Sequence, residues 1–204
     1  HSAASATWGQ RPDPATGHAE TSVHDSRSAD RSAAMADMNV TTELYRSALR
    51  RHPAGVAVIT LTADTGPVGF TATSLTSLSL NPPLLSFNIT DTSSSISALR
   101  KAHSVVVHLL GRHQLDLARR FSRSAEHRFA DPVSWSSLET GEPLLLGTPT
   151  WLRMSVHQLI PAGDSTLVIG EVSDLYCDDS NGTPPPLVYH DGNFLATSPL
   201  TDIG

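Results

Sequence analysis

Residues 69–83 read GFTATSLTSLSLNPP, and six of these fifteen side chains carry a hydroxyl group. Threonine and phenylalanine favour extended backbone, and from Phe70 to Leu80 apolar and hydroxyl side chains largely alternate, which predicts a β-strand. The alternation loses its phase at Ser74 and Leu75, where we expect a β-bulge. Hydroxyl and backbone N–H groups on an uncharged strand suit the oxygen atoms of a ligand's phosphate or carbonyl groups. Alternation alone leaves open a simpler interpretation, a threonine-rich edge strand whose polar face is solvated.

Strands and short helices are predicted on both sides of this segment from apolar periodicity and turn residues. Strands are expected at 55–62, 68–80, 82–89, 104–110, 150–160, 165–177 and 186–194, and helices at 41–51, 93–102 and 113–122. Because hairpin connections outnumber crossovers, the strands should pair in an antiparallel manner. The predicted fold class is therefore mainly β (α+β), an antiparallel barrel whose edges and ends are covered by short helices.

Composition limits the function further. The 204 residues carry a formal net charge of −6, which disfavours a nucleic-acid partner or an anionic membrane surface. No apolar run approaches the roughly 18 residues that a membrane-spanning helix needs. A single cysteine, Cys177, excludes an intramolecular disulfide and fits a reducing, cytoplasmic location. Residues 1–40 are poor in large apolar side chains and predict a disordered or loosely docked tail ahead of one domain at 41–204.

Other polar residues are weaker candidates for a site. The segment DTSSSIS, residues 91–97, places three consecutive serines at a predicted helix start, where free N–H groups attract anions; simple helix capping is the alternative. His103, His108 and His113 recur every five residues, which matches no usual zinc spacing, so we interpret them as structural or surface groups and predict no metal. Cys177 has no basic neighbour that would activate its thiol.

Six motifs, taken together and in this order, resemble those of the flavin reductase family. They are HPAGVAVIT (52–60), GFTATSLTSLSLNPPLLSFNI (69–89), DTSSSIS (91–97), LARRF with HRFADPVSW (117–135), GDSTLVIGEV (163–172) and PLVYHDGNF (186–194). The resemblance spans residues 44–195. It implies a split β-barrel of the FMN-binding type, with FMN as the cofactor, or FAD in its place, and with NADH or NADPH as the co-substrate.

The same resemblance assigns ten positions to the flavin. They are Pro53, Ala54, Thr71, Ala72, Thr73, Ser74, Asn88, Ser93, Ser95 and Phe129. Residues 71–74 would line the isoalloxazine ring and the ribityl phosphate, and Ser93 and Ser95 would bind the phosphate. A basic residue often precedes those serines in the family, whereas this chain has acidic and hydroxyl residues there. The phosphate charge would then be met by dipoles and N–H groups, or by a distant arginine such as Arg128.

The nicotinamide side is assigned by the resemblance to Ser165, Tyr189 and Gly192. Family members commonly carry Gly-Asp-His where this chain reads Gly-Asp-Ser, so Ser165 replaces the family's histidine. Hydride transfer needs the nicotinamide held against the flavin rather than a protein acid or base, so we assign no catalytic residue. The loss of the histidine is expected to weaken nicotinamide positioning without abolishing hydride transfer. Tyr189 is equally compatible with an aromatic residue that closes the barrel.

The resemblance implies an oxidoreductase. The expected function is that of an NAD(P)H-dependent flavin reductase, which passes hydride to FMN or FAD and supplies reduced flavin to a partner monooxygenase. A cytoplasmic homodimer is implied with it, without nucleic-acid or membrane partners. Two alternatives stay open: a flavin-binding electron carrier or oxygenase without free-standing reductase activity, and a degenerate split-barrel module that only binds a ligand. The hydroxyl strand at 71–74 argues against the degenerate module.

Overall fold

The computed structural model describes residues 39–178, 182 and 184–200. The tail predicted at 1–40 lies outside the described residues, apart from 39 and 40. The α-helices are α1 (Thr42–Leu49), α2 (Ile96–Leu99) and α3 (Leu115–Phe121), with 3₁₀ turns at Arg112–Gln114 and Ala125–His127. The strands are β1 (Ala54–Gly55), β2 (Ala57–Ala63), β3 (Gly66–Ala72), β4 (Thr76–Leu80), β5 (Pro83–Thr90), β6 (Ser104–Leu109), β7 (Trp135–Ser137), β8 (Pro143–Leu145), β9 (Thr150–Ala162), β10 (Ser165–Cys177), β11 (Leu187–His190) and β12 (Asn193–Ala196).

Seven strands form one sheet in the order β3-β2-β6-β9-β10-β5-β4, and each neighbouring pair is antiparallel. Two smaller sheets comprise β1-β11-β12 and β7-β8. The mainly β, antiparallel prediction is confirmed. The expected hairpin of β2 with β3 is present, with Ala63 paired to Gly66 across the turn. Among the described helices, none combines the length and apolar character that crossing a membrane requires.

The segment 69–83 forms two strands, so the prediction of one strand at 68–80 is wrong. β3 ends at Ala72, β4 begins at Thr76, and these strands are the two edges of the seven-stranded sheet. Residues 73–75 cross between the edges, which is where the alternation loses its phase. The Ser74 hydroxyl takes the place of ladder hydrogen bonds there: the Asn88 N–H donates to Ser74 Oγ at 2.8 Å, and Oγ donates to the Asn88 carbonyl at 3.3 Å.

The motif at 186–194 also differs from its prediction as a single strand. It forms β11 and the start of β12, an antiparallel hairpin in which His190 pairs with Asn193. The two residues between them have positive φ, 47° at Asp191 and 80° at Gly192. An Asp-Gly pair with this backbone is the usual two-residue turn of a tight hairpin, because its twist matches that of the strands. The Asp191-Gly192 dipeptide was thus the sequence signal for a turn within residues 186–194.

The buried apolar side chains form two clusters, and β2 contributes to both. Ile59 and Leu61 lie in the larger cluster, together with Phe87 and other buried residues. Val58 points to the other face, where the smaller cluster contains Phe121 of α3. Because side chains alternate across a strand, a strand buried on both faces is mostly apolar, and β2 is buried from Ala57 to Leu61. Its one buried hydroxyl, that of Thr60, donates to the Pro143 carbonyl. The amphipathic prediction for α3 is confirmed by the burial of Phe121.

Two buried titratable groups lie in this core. His108 is fully buried; its Nε2 accepts from the Leu145 N–H at 3.0 Å, so Nδ1 carries the proton and donates to the Val58 carbonyl at 3.1 Å. Burial lowers the pKa of His108 to about 4, although the hydrogen bond to Val58 opposes the shift. Glu142 is also buried, and Arg153 Nη2 lies 2.8 Å from its Oε1. Burial alone would raise the pKa of Glu142, but its hydrogen bonds, that with Arg153 first, lower it to about 2.

We expect stability to fall in two steps as the pH falls. The folded-state pKa of His108 lies below its ordinary 6.5, so its contribution is complete above pH 6.5 and is lost between pH 6.5 and 4, by roughly 3 kcal/mol. Glu142 has a lowered pKa as well, so its contribution is complete above pH 4.5 and is lost as the pH falls towards 2. Urea unfolding at pH 7, 5.5 and 4 measures the first step. His108→Gln, which cannot titrate, should flatten that step, and an unchanged slope in this variant would contradict the assignment.

Candidate functional site

Hydroxyl side chains from several elements converge on one cleft, which we call the hydroxyl cleft. Its volume is about 400 Å³. It is lined by Phe70, Thr71, Ala72, Thr73, Ser74, Asn88, Ile89, Thr90, Thr92, Ser93, Ser94, Phe121, Ser122 and Arg128. The end of β3, the end of β5, the segment that follows β5 and the end of α3 therefore form its walls. Arg128 is the one charged residue among the described residues that line it.

Six of the ten positions that the sequence assigned to a flavin line this cleft. They are Thr71, Ala72, Thr73, Ser74, Asn88 and Ser93. The separate motifs at 69–89 and 91–97 are therefore brought together in space. The link between them is Arg128, whose Nη1 donates both to the Gly69 carbonyl and to Ser95 Oγ, and this contact could not be read from strand alternation.

The hydroxyl groups of the wall are not equivalent. Thr71 Oγ1 donates to the Ala118 carbonyl at 3.0 Å and so attaches β3 to α3. Ser74 Oγ is occupied by both backbone groups of Asn88. The Thr73 hydroxyl has no hydrogen-bond partner among the described residues, and its side chain is exposed. Thr73 is accordingly the wall hydroxyl that is free to bind a ligand, while Thr71 and Ser74 hold the wall in shape.

We expect Ser74→Ala to lower the free energy of unfolding by about 0.5–1.5 kcal/mol, because the hydrogen bonds that hold the segment between β3 and β4 on Asn88 of β5 are then lost. Chemical denaturation of the purified variant measures the loss. Thr73→Ala is the matched control, since it removes a neighbouring exposed hydroxyl that has no described partner; it should change stability by less than about 0.5 kcal/mol. Equal effects of the two substitutions would show that the hydrogen bonds between Ser74 and Asn88 do not stabilise the fold.

Arg128 connects several of the segments that surround the hydroxyl cleft. Its Nη1 donates to the Gly69 carbonyl at 2.7 Å and to Ser95 Oγ at 3.2 Å, while Nε and Nη2 donate to the Arg123 carbonyl at 3.1 and 2.7 Å. Burial lowers the pKa of the guanidinium, which nevertheless stays charged at neutral pH. The Arg128 side chain thus joins β3, the serine segment (residues 91–97) and the chain after α3.

The serine segment differs in detail from its prediction. Ser95 is buried and its hydroxyl accepts from Arg128, so Ser95 positions the arginine. Ser94, which the sequence did not single out from its neighbours, lines the cleft beside Ser93. Helix α2 is a single turn of four residues, so its dipole is small and adds little to an anion site. An anion at this end would therefore meet Arg128 and hydroxyl groups more than the helix start.

Pro53, Ala54, Tyr189 and Gly192 lie in the small sheet rather than along the hydroxyl cleft. Ala54 of β1 pairs with Tyr189 of β11, and Gly192 is in the turn of the β11–β12 hairpin. Pro53 is exposed just before β1. Tyr189 packs edge-to-face on Phe194, with ring centroids 5.2 Å apart. None of these four residues is among those that line the hydroxyl cleft.

Ser165 stands near the rim of the hydroxyl cleft. It begins β10 and pairs with Thr90, which lines the cleft. Its hydroxyl donates to Asp164 Oδ1 at 3.1 Å. Strand β10 lies next to β5, whose end forms part of the cleft wall. A side chain longer than serine at position 165 could therefore contact a ligand at the rim of the cleft.

Phe129, the tenth predicted flavin residue, lies behind the wall. It packs edge-to-face between Phe121 and Trp135, with centroid distances of 5.1 and 5.3 Å. Phe121 and Ser122 line the cleft instead, and sequence reasoning missed both. The available signal was the amphipathic pattern of α3, whose buried edge ends at Phe121 next to the strand it covers.

Comparison with known proteins identifies related chains. Residues 49–198 match the family described as flavin reductase like domain. The chain is 60% identical over 157 residues to an NADH:FMN oxidoreductase of Rhodococcus qingshengii, which covers 76% of this chain and 82% of that protein. It is 32% identical over 155 residues to the reductase subunit of a flavin-dependent monooxygenase of Mycobacterium tuberculosis, with the same shares of the two chains covered.

A solved structure shows the same architecture. The crystal structure of a flavin reductase domain protein from Arthrobacter sp. FB24 superposes with a TM-score of 0.74 at 32% sequence identity, covering 80% of this chain and 99% of that chain. The split-barrel prediction is thereby confirmed.

Proposed function

The chain belongs to the flavin reductase family, and from this premise we propose that it is an NADH-dependent reductase of FMN. The family match covers residues 49–198, and the 60% identical relative is named for this activity. The observation that carries the proposal is the hydroxyl cleft, because residues from two family motifs form one wall that ends at a single arginine. Fold alone would not decide the chemistry, since one fold serves many functions.

The donor set of the cleft fits FMN. Free hydroxyl and amide groups, such as those of Thr73 and Asn88, suit the carbonyl and nitrogen atoms of a flavin ring. Ser93, Ser94 and Arg128 at the other end suit a phosphate, because an arginine and neighbouring hydroxyls supply charge-assisted hydrogen bonds. The fixed carbonyl contacts of Arg128 hold the guanidinium in place before a ligand arrives.

A flavin bound there supplies a ring that accepts hydride from a nicotinamide and passes the electrons on. The chain's own contribution is binding and orientation, since no acid or base is required of it. Thr71 and Ser74 keep the wall rigid through their hydrogen bonds to Ala118 and Asn88. Ser165, beside Thr90, would bound the side from which the nicotinamide approaches. Tyr189 and Gly192 remain part of the proposed nicotinamide side through the β11–β12 hairpin.

The test is a two-substrate assay with the purified chain. NADH consumption is followed by absorbance at increasing FMN concentrations, with flavin omitted as the blank and NADPH as the alternative donor. We expect a rate that saturates with FMN and a lower KM for NADH than for NADPH. Tight FMN binding without NADH consumption would contradict the proposal in favour of a carrier or oxygenase, and absence of FMN binding would contradict flavin function altogether.

We expect Ser165→His to lower the KM for NADH by roughly threefold to tenfold, with kcat changed less than twofold, because a ring at the cleft rim adds ground-state contacts to the nicotinamide. Initial rates at saturating FMN give both constants. Ser165→Ala is the control: it removes the hydroxyl that donates to Asp164 without adding a ring, and it should leave the KM within twofold. A raised KM for NADH in the Ser165→His variant would contradict the assignment, because the added ring would then hinder nicotinamide binding.

A homodimer in the cytoplasm that delivers reduced flavin to a monooxygenase completes the proposal. Relatives named as monooxygenase reductase subunits support such a partner. Leu44, Tyr45 and Leu49 of α1 have exposed fractions of 47%, 59% and 52%, so an interface covering α1 would remove apolar surface from water. Light scattering of the purified chain, against the 21.7 kDa of one copy, measures the oligomeric state.

A further inference from the structure

Asp91 begins the serine segment, at a place where members of the family often carry a basic residue. A carboxylate that faced the phosphate end of the hydroxyl cleft would repel the phosphate of FMN. Thr90 and Thr92 line the cleft, but Asp91, which lies between them in the chain, is not among the lining residues. The function proposed above assigns no role to this carboxylate.

The Asp91 carboxylate accepts two hydrogen bonds at one oxygen atom. Thr166 Oγ1 donates to Asp91 Oδ1 at 2.9 Å, and Arg100 Nη2 donates to the same oxygen at 3.1 Å. The two donors differ in environment, because Thr166 is buried whereas the Arg100 side chain is 55% exposed. Loss of a buried partner costs more than loss of an exposed ion pair, so the bond with Thr166 is the stronger constraint on Asp91.

The contacts of Asp91 hold the serine segment at both ends and against a neighbouring strand. Arg100 follows α2, so its bond to Asp91 closes the loop 91–100, which includes the serines that line the cleft. Thr166 belongs to β10, and the Asp91 N–H also donates to the Asp164 carbonyl at 3.0 Å, just before β10 begins. Asp91 thus attaches the loop with the cleft serines to the start of β10.

The start of β10 is the nicotinamide side of the proposed site. Ser165 lies between the two residues that contact Asp91, and it pairs with Thr90 at the rim of the hydroxyl cleft. Asp91 therefore connects the segment proposed to hold the flavin phosphate with the strand proposed to bound the nicotinamide. Hydride transfer needs the two rings in near contact, and a displacement of about 1 Å can lower such a rate roughly a hundredfold.

We propose that Asp91 is a positioning residue for hydride transfer, which sets the place of the flavin relative to the nicotinamide by fixing the serine segment on β10. The proposal rests on the proposed function, since it needs a flavin phosphate at the serines and a nicotinamide beside Ser165. Asp91 does not line the cleft and acts through Ser93 and Ser94, which do. A flavin without a phosphate does not engage those serines, so Asp91 has no route by which to set its position.

The experiment measures the rate constant of flavin reduction by saturating NADH in single turnovers without oxygen, with FMN or riboflavin as the acceptor. NADH loses a hydride to become NAD⁺ and the flavin gains it, so the loss of flavin absorbance follows the step. We expect Asp91→Ala to lower the rate constant roughly tenfold or more with FMN, and less than about threefold with riboflavin. Asp91→Asn keeps an oxygen that accepts from Thr166, so its FMN rate should lie within about threefold of that of the unmodified chain.

Two further variants test the route from Asp91 to β10. Thr166→Val removes the buried hydroxyl, so it should lower the FMN rate as Asp91→Ala does. The double variant should lie within about twofold of the slower single variant, because both substitutions break the same hydrogen bond. Asp116→Ala is the matched control, since it removes an exposed aspartate that lies beside an arginine on α3 and outside the hydroxyl cleft; its FMN rate should stay within about twofold.

Other results would overturn the proposal in distinguishable ways. Equal losses with FMN and riboflavin in Asp91→Ala would mean that Asp91 supports the fold in general rather than the phosphate end. An FMN rate within about twofold of the original in that variant would remove Asp91 from positioning altogether. In both cases the reductase function would stand, whereas an unmodified chain that does not reduce FMN would overturn the proposed function as well. Thermal unfolding verifies that each variant is folded, and Thr166→Val carries the same comparison of FMN with riboflavin should Asp91→Ala not fold.

Discussion

Gly170→Ala is expected to lower the free energy of unfolding by about 3 kcal/mol or more, and Tm by roughly 6–12 °C. A Cβ at this position would lie 2.3 Å from the Ser155 carbonyl oxygen and 2.6 Å from Met154 Cγ. The first neighbour is backbone of β9, and Gly170 also pairs with Leu85 of β5, so β10 is held on both sides and cannot move away.

The close approach at Gly170 has an identifiable cause. Ile169 pairs with Gln158, whereas Gly170 pairs with Val156, so one residue of β9 is left over and the strand bulges towards β10. Gly55→Ala is the matched control, because no atom lies within 4 Å of its added Cβ and its φ is not positive. Differential scanning calorimetry gives Tm for both variants. A Gly170→Ala protein that unfolds within about 2 °C of the unmodified chain would contradict the contact.

The bulge explains why strand positions were predictable and their contacts were not. The sequence of β10 alternates well enough to place it at 165–177, which agrees with Ser165–Cys177. Gly170, the one glycine of β10, is compatible with a close backbone approach, but the pairing of β10 with β9 could not be derived from it, because register depends on the partner strand. The same holds at 69–83, where the hydroxyl alternation was read correctly but the division between two sheet edges depends on curvature of the whole sheet.

The residues of the candidate site were likewise predictable only in part. Residues on regular strand, such as Thr71 and Ala72, line the cleft, as the family resemblance implied for this strand. In the serine segment the prediction named Ser93 and Ser95, whereas the residues that line the cleft are Ser93 and Ser94, because alternation does not apply in a turn that leads into a single helical turn. The assignment of Ser95 to a phosphate stays a prediction. Arg128 entered only as a distant candidate, since its contacts join residues 59 positions apart in the chain. Long-range side-chain contacts of this kind have no local sequence signal.

Arg128→Met is expected to raise the Kd for FMN roughly thirtyfold, equivalent to about 2 kcal/mol, while changing the Kd for riboflavin less than about threefold. The methionine keeps an apolar stem but removes the one charged side chain among the described residues that line the hydroxyl cleft. Riboflavin lacks the phosphate, so the comparison separates recognition of the phosphate from the shape of the cleft. Fluorescence titration of both flavins gives the two constants.

Arg128→Lys separates charge from geometry. A lysine restores one positive charge, but its single ammonium group cannot replace the fork that reaches the Gly69 and Arg123 carbonyls and Ser95 at once. Its Kd for FMN should therefore lie between those of the unmodified chain and the methionine variant. If Arg128→Met instead weakened FMN and riboflavin by the same factor, Arg128 would act by holding the walls together, and phosphate binding would rest on Ser93 and Ser94. An FMN affinity within twofold of the original in a folded methionine variant would remove Arg128 from the site, because the cleft would then bind a dianion without the one charged side chain that lines it among the described residues.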